Sequence, residues 1–475
     1  MQNIIIFNNL LIFNVICEVG AKMNNLKSSF QKLGVNIPTV LLPQKGTDMS
    51  KWSVVACDQY TSEPEYWAEV EKNVGDNPST LKMTFPEVYL ENENSEDRIA
   101  QINSTMEKYI NENILEAQDP CFIYVDRKTS HTPSRKGLIM AVDLEKYDYA
   151  VGSQTLIRAT EGTVIERLPP RIKIRENAPL ELPHVMLLID DPEKSVIEPL
   201  AEKAETLEKV YDFDLMMKGG HIKGYKVDNK EIIGNILSSL EKLANPDTFA
   251  KKYSVGDYKG VLLFAVGDGN HSLASAKGHW EIIKCGCPTQ EIENHPARYA
   301  LVEVVNVHDS GLTFEPIHRV VFNVNHDDLL KSMVSFLGDE NCSYRKINSM
   351  ESIFYELQSL RSNKHSHAMG FCTCEGFGVL EVANPSRNLE VGTLQAFLDD
   401  YIKNNKDIKI DYIHGEDVVL KLGTQKGNIG FFLPKMSKHD LFKTVILDGA
   451  LPRKTFSMGE ADEKRFYLEC RKIVK

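Results

Sequence analysis

Lys259-Gly260-Val261-Leu262-Leu263-Phe264-Ala265-Val266-Gly267-Asp268-Gly269-Asn270-His271-Ser272-Leu273-Ala274-Ser275-Ala276-Lys277 decides how this chain is read. Val261 to Val266 is a short continuous apolar run, the pattern of a strand buried on both faces. Gly267 to Asn270 breaks that run, and the residues from Ser272 through Lys284 favour a helix. A strand, a glycine turn and a helix start bring unpaired backbone N–H groups together at one point, where negative charge is favoured. Two readings share this spacing. In one, Gly267, Asp268, Gly269, Asn270, His271 and Ser272 hold a phosphate, with His271 donating a hydrogen bond and Asp268 holding a metal or a donor. In the other, the segment is a plain strand-to-helix connection with an Asn270 or Ser272 cap and a packed His271, because Gly-x-Gly before a helix fits both.

Outward from this unit, the same alternation of strands and helices continues in both directions. From Ile37 to Trp67 the chain reads IPTVLLPQKG and then WSVVACDQYTSEPEYW, a strand, a Gly/Pro turn, a second strand and a helix start with Ser62 as N-cap. Helical periodicity marks 97–116, 194–211 and 229–244, and paired strands follow in CFIYVDR and GLIMAVDLEKYDY. Tyr299 to Val307 is strand-like. Beyond Asn323 the pattern changes to helices near 326–337, 350–361 and 392–404 with strands between them, and the tail after Ser457 and Glu460, at capping-box spacing, predicts a last helix. The expected fold is therefore α/β to α+β: a mixed sheet carrying the phosphate-binding strand-turn-helix over residues 23–322, and a C-terminal α+β region over 323–475. Residues 1–22 contain an apolar patch without a basic leader and interrupted by asparagines, too short for a bilayer span, and are expected to be an over-extended gene start or a short dispensable arm.

The 475 residues are more than one core accommodates, at roughly 100–200 residues per domain. Acidic side chains number 67 against 55 basic, a formal charge of −12, which disfavours a polyanionic partner such as nucleic acid. Small anions remain compatible, since a few amides and cations suffice to hold one. Nine cysteines without framework spacing fit a reducing, cytoplasmic setting. Cys285-x-Cys287, and His365-x-His367 ahead of Cys372-x-Cys374, are closer than zinc-knuckle spacing and read as paired strand positions. The chain has no Walker A loop, kinase catalytic set, zinc-protease helix or serine-hydrolase elbow, which excludes the common forms of those enzymes.

Three further segments carry candidate chemistry. Arg158-Ala159-Thr160-Glu161-Gly162-Thr163 sets an arginine, hydroxyls and a carboxylate together; Arg158 suits phosphate neutralisation and Glu161 a general base or Mg2+ ligand, or else the segment is a solvated loop. Asp58 follows an apolar strand, where ligands of α/β proteins gather, while Cys57 beside it has no partner histidine in view. His318-Arg319 follows Pro316 and turns into a cleft or ends a strand.

VGDGNHSLASAK resembles the Asp-Gly-His-His-Arg-x-x-x-Ala motif of the domain of unknown function family 1015. LLPQKGTDMSKWSVVACDQYTSEPEYW, IRATEGTVIERLPPRIKIRENAPLELPH, EPIHR and LPRKTFSMGEA resemble the same family, and together these cover most of Ile37 to Ile473. The motif is similar in turn to the phosphate-binding segment of the ParB and sulfiredoxin superfamily, which includes CTP-binding partition proteins and free-serine kinases. The resemblance implies nucleotide binding, ATP or ADP with Mg2+ on Asp268, and transfer of phosphate to a small metabolite; a nucleotide-sensing module and a phosphatase or nucleotidase stand as alternatives. Where the family motif has His-Arg this chain has His271-Ser272, so the clamping cation is missing, and Arg158, Arg167, Arg171 and Arg319 are the replacements within family-like blocks.

Overall fold

The computed structural model describes residues 26, 28–61, 63–90, 94–360 and 366–475. The expectations for residues 1–22, for Ser62 as a cap and for His365 fall outside these. By its contacts the chain forms two units. The first comprises the described residues up to Ala159, Thr163–Leu312 and Ala461–Lys475; the second comprises Thr160–Gly162 and Thr313–Glu460. The change of pattern placed after 322 in the sequence thus falls near Leu312, and the chain's last segment returns to the first unit.

The first unit is built on a ten-stranded mixed sheet. Its central strands, Phe122–Lys128, Arg135–Asp143, Tyr299–Asn306, Met186–Ile189 and Phe264–Asp268, neighbour one another in that order. The Phe264–Asp268 strand runs parallel to Ile157–Ala159 and antiparallel to Met186–Ile189. Alternation along these strands sends successive side chains to opposite faces. Phe122 and Tyr124 join one core, with Leu187, Phe264, Val266 and Trp280. Ile123 and Val125 join the other, with Trp52, Trp67, Met106 and Tyr467. Both faces are buried, which explains why the Val261–Val266 run shows no polar alternation.

Helices cover the first face through their apolar stripes. Lys230–Leu243 presents Ile233, Ile236 and Leu240, and Asn229 caps it through the amides of Glu231 and Ile232. Asn270–Gly286 presents Leu273, Ala276 and Trp280. The helix expected over 194–211 is cut short: only Glu198–Lys203 and a 3-10 turn at Ala204–Thr206 are helical, and Glu208–Asp214 is a strand whose ladder with His221–Val227 overrides local propensity. No helix among the described residues is long and apolar enough to cross a membrane.

The second unit has an antiparallel sheet in the order Cys342–Ile347, Gly376–Ala383, Ser366–Thr373, Asn428–Phe432, Phe314–Phe322, Lys409–His414. Helices His326–Leu337, Met350–Leu360 and Glu390–Asn404 fall where periodicity put them.

The tail corrects its expectation. Instead of a final helix it has a short strand at Phe456–Met458, a 3-10 turn at Ala461–Glu463 and an extended run into Arg471–Lys472. The run is held by ladder-like bonds: Ala56 N to Arg465 O at 2.8 Å, Tyr467 N to Val54 O at 2.8 Å and Leu41 N to Cys470 O at 2.8 Å. Tertiary pairing with residues more than 400 positions away defeats a local helix signal of one cap.

Candidate functional site

Gly269 makes the turn. Its φ of +78° lies in the left-handed region, and a Cβ there would sit 3.1 Å from Val185 Cα, so glycine serves both the turn and the close approach. The helix starts at Asn270, two residues earlier than expected, and Gly269 is its N-cap with no side-chain cap bond. Neither Asn270 nor Ser272 is therefore the cap. This 17-residue helix starts without a side-chain cap, and the positive end of its dipole lies at the glycine turn.

Each loop side chain has a partner. Asp268 Oδ1 accepts the Gly269 N–H at 3.0 Å, and its other oxygen lies 3.1 Å from Lys464 Nζ. His271 Nε2 accepts the Val164 N–H at 3.3 Å, which places the ring proton on Nδ1. Burial lowers the His271 pKa from its ordinary value, Arg171 and Arg167 lower it further, and Asp58 partly opposes them. The histidine is thus a neutral donor among two guanidiniums and a carboxylate. Ser272 Oγ lies 2.6 Å from His184 Nε2.

Of the four arginines offered as replacement cations, the structure brings two to the loop. Arg167 is exposed, at the N-cap of the Leu168–Glu176 helix, within a stretch read from sequence as loop. Arg171, one turn on, donates to Glu87 Oε1 through both Nε at 2.9 Å and Nη2 at 2.5 Å, and through Nη1 to Arg167 O at 2.8 Å, so it brings a paired charge rather than a free fork to the loop. Arg158 is placed otherwise. Its strand position turns the guanidinium to the carbonyls of Thr155, Gly260 and Val261, so it clamps the chain leading into the strand, and burial lowers its pKa to about 10. Arg319 belongs to the second unit, is fully buried, and spends its donors on Gln395 and the carbonyls of Ile317, His318, Lys454 and Arg453. A guanidinium so satisfied has no fork left for a phosphate. Its neighbour His318 is likewise buried and accepts the Leu433 N–H, with burial and Arg319 lowering its pKa to about 4.

The carboxylates divide as well. Asp58 follows Cys57 in a turn, and its charge reaches His271. Glu161 belongs to the second unit, where it bridges Leu451. Cys57 has its thiol pushed above the usual range by burial and by Asp58, so it is no thiolate nucleophile.

The metal expectation does not fit. Among the described residues no group of three or more His, Cys, Asp or Glu is arranged to hold an ion, and Asp268 is already met by an ammonium. Cys285 ends the Asn270–Gly286 helix and Cys287 caps it, so that pair does not lie on a strand face.

Sequence reasoning missed Lys464, Glu87, His184 and Tyr467. His184 lay in a family-like block, but nothing marked it apart from other buried histidines. Lys464 and Tyr467 come from the returning tail, held in place by Arg127, whose guanidinium bonds the carbonyls of Asp462, Glu463 and Lys464. Beside Ser272 and Arg171 opens a cavity of about 160 Å³, largely apolar in its depth, lined by Met83, Phe85, Ile174 and Leu182 and, at its polar side, Cys57, Glu87, His184 and Tyr467.

A family model described as "Protein of unknown function (DUF1015)" matches residues 41–401. Among solved structures, a free serine kinase in complex with AMP is similar at 11% identity, covering 70% of this chain and 92% of that one, with a TM-score of 0.35. A mutant of a free serine kinase in complex with ADP is similar at 8% identity, covering 74% and 95%, with a TM-score of 0.37. A conserved hypothetical protein from Pyrococcus furiosus is similar at 10% identity, covering 68% and 90%, with a TM-score of 0.33. No curated protein matches. These likenesses to solved structures are distant, and the functional reading rests on the chain's own geometry.

Proposed function

The chain belongs to the DUF1015 family of proteins of unknown function, and from that premise we propose that its first unit binds the phosphates of ATP or ADP beyond Gly269 and passes a phosphoryl group to a small hydroxyl-bearing metabolite. One observation carries the reading: an uncapped helix start, made by a left-handed glycine, is ringed by Arg167, Arg171, Lys464 and a neutral His271 donor. Backbone donors and cations around one point are what a polyphosphate requires, and here Arg171 and Lys464 are held in place by their pairs with Glu87 and Asp268.

In this reading the amides of Asn270, His271 and Ser272 take phosphate oxygens, and His271 adds its Nδ1–H. Arg167 and Arg171 supply the charge that an arginine in place of Ser272 would have given. Transfer forms a bond from the acceptor oxygen to phosphorus and breaks the bond to the nucleotide; Asp58 is assigned the acceptor proton, since its charge already reaches His271. The cations and amides stabilise the oxygens of the transferring group, where most catalysis of such reactions lies. The residues present do not form a Mg2+ site, and no step is assigned to one.

Thermal melting of the full chain with ATP, ADP or AMP tests the proposal. A nucleotide at about 100 times its Kd stabilises the native state by about 2.7 kcal/mol. His271→Ala is expected to weaken binding about tenfold or more, the value of a hydrogen bond to a charged group. Absence of any nucleotide-dependent shift in the folded protein overturns the reading. Binding heat without product marks the non-catalytic sensor, and phosphate release without an acceptor marks the phosphatase.

A further inference from the structure

Behind the helix start, three side chains form a line that phosphate binding does not require. Ser272 Oγ lies 2.6 Å from His184 Nε2, and His184 Nδ1 lies 2.9 Å from the Tyr467 hydroxyl. The two rings stand nearly perpendicular, at 86°, with centroids 5.4 Å apart. The Tyr467 oxygen also accepts the Cys57 N–H at 3.2 Å, which fixes the phenol to the backbone. His184 and Tyr467 are buried, and Ser272 is half-buried on the cavity wall.

A serine in a helical first turn ordinarily caps an amide or bonds a carbonyl four residues back. Ser275 does the latter, donating to His271 O at 2.7 Å. Ser272 instead turns to a histidine held at both nitrogens. In the tautomer in which the phenol oxygen accepts both the Cys57 N–H and the His184 Nδ1–H, Nε2 is unprotonated against the serine hydroxyl. Nucleophile, base and orienting group are then in sequence at hydrogen-bond distances, the arrangement that activates a serine whatever the fold.

We propose that Ser272 is a nucleophile with His184 as its base and Tyr467 as the positioning residue, and that it takes the terminal phosphoryl group of a bound nucleoside triphosphate to form a phosphoserine enzyme. This rests on the nucleotide reading and makes the transfer two steps. In the first, Ser272 Oγ bonds to phosphorus, the bond to the nucleoside diphosphate breaks, and the serine proton passes to His184 Nε2. In the second, a metabolite hydroxyl gives its proton to Asp58 and displaces Ser272 Oγ from phosphorus, while His184 returns its proton to the serine oxygen. First-turn amides adjoining Ser272 put the phosphate beside its Oγ without rearrangement of the helix.

The test is intact-mass analysis of the full chain after incubation with ATP and no acceptor, with peptide mapping of the modified residue and melting measured in parallel. The expected result is one added phosphoryl group on Ser272, absent in Ser272→Ala. His184→Gln, which keeps a hydrogen-bonding side chain but takes no proton, is expected to slow the addition about 100-fold or more. Tyr467→Phe should slow the addition while leaving the nucleotide-dependent melting shift unchanged, which loss of packing alone would not do. A nucleotide-dependent melting shift with no phosphoserine, or label on another residue, overturns this proposal and leaves the binding reading intact. No melting shift at all removes both. Addition unchanged in His184→Gln removes the base.

Discussion

Two polar networks of the first unit use the same residue types to opposite ends. In one, Arg465 bonds Glu303 Oε2 at 2.5 Å and also Glu469, and Glu469 accepts the Tyr211 hydroxyl at 2.6 Å, all within the core at under a tenth exposure. In the other, Arg167, Arg171, Lys464, Asp58, Asp268 and His271 surround a helix start that no side chain caps, each of them half-buried or exposed. The closed network neutralises its charges internally, so it joins the returning tail to the sheet and offers nothing to a ligand. The open network pairs Arg171 with Glu87 and Lys464 with Asp268, but it does so at a partly exposed helix start that no side chain caps, where an anion can join it. Location and partner separate these arginines where identity does not: Arg158 and Arg319 are buried with their guanidiniums on carbonyls, whereas Arg171 is half-buried and pairs with the Glu87 carboxylate, a partner an incoming anion can compete with.

The sharpest way to break the comparison is Arg465→Ala, which strands Glu303 and Glu469 without their cation. Loss of one partner of a buried pair is expected to cost about 3–5 kcal/mol, read as a fall in the denaturant midpoint at unchanged slope. A cost below about 1 kcal/mol would mean the network is not the closed element described.

Acid should act on the same element. Burial alone would raise the Glu303 pKa, but Arg465 and Arg135 outweigh it and hold it below its ordinary 4.5. A depressed folded pKa gives stability that is present above the unfolded value and lost as pH falls through the folded one. Unfolding free energy measured downward from pH 5 is therefore expected to decline steeply, and less steeply in Glu303→Gln.

Gly269→Ala comes next. A side chain in the left-handed region costs about 1–2 kcal/mol, and the new Cβ crowds Val185. Melting should drop by that amount and the nucleotide-dependent shift should vanish. Retention of the full shift would detach the helix start from binding.

Smaller still is the proton linked to binding. His271 titrates below its ordinary 6.5 because of burial, Arg171 and Arg167. A bound phosphate offsets those charges and raises its pKa, so binding should take up protons as pH falls below the ordinary histidine value, seen as buffer-dependent calorimetric heat. The smallest effect is expected from Asp268→Asn: its pair with Lys464 is partly exposed, and the unliganded protein should lose less than about 1 kcal/mol.

By itself the sequence determined the strand-turn-helix around Gly269, the helices at 229–244 and 326–337, and the family. These depend on short-range periodicity and on glycine's access to positive φ, which neighbours in the chain do not alter. Tertiary structure alone decided that Glu208–Asp214 is a strand, that the tail is extended, and that Lys464 and Tyr467 reach Asp268 and His184. It also decided which arginines face the loop. Those outcomes depend on pairing and burial between segments hundreds of residues apart, where a charge is either satisfied by carbonyls or left to a ligand, and no local pattern records which.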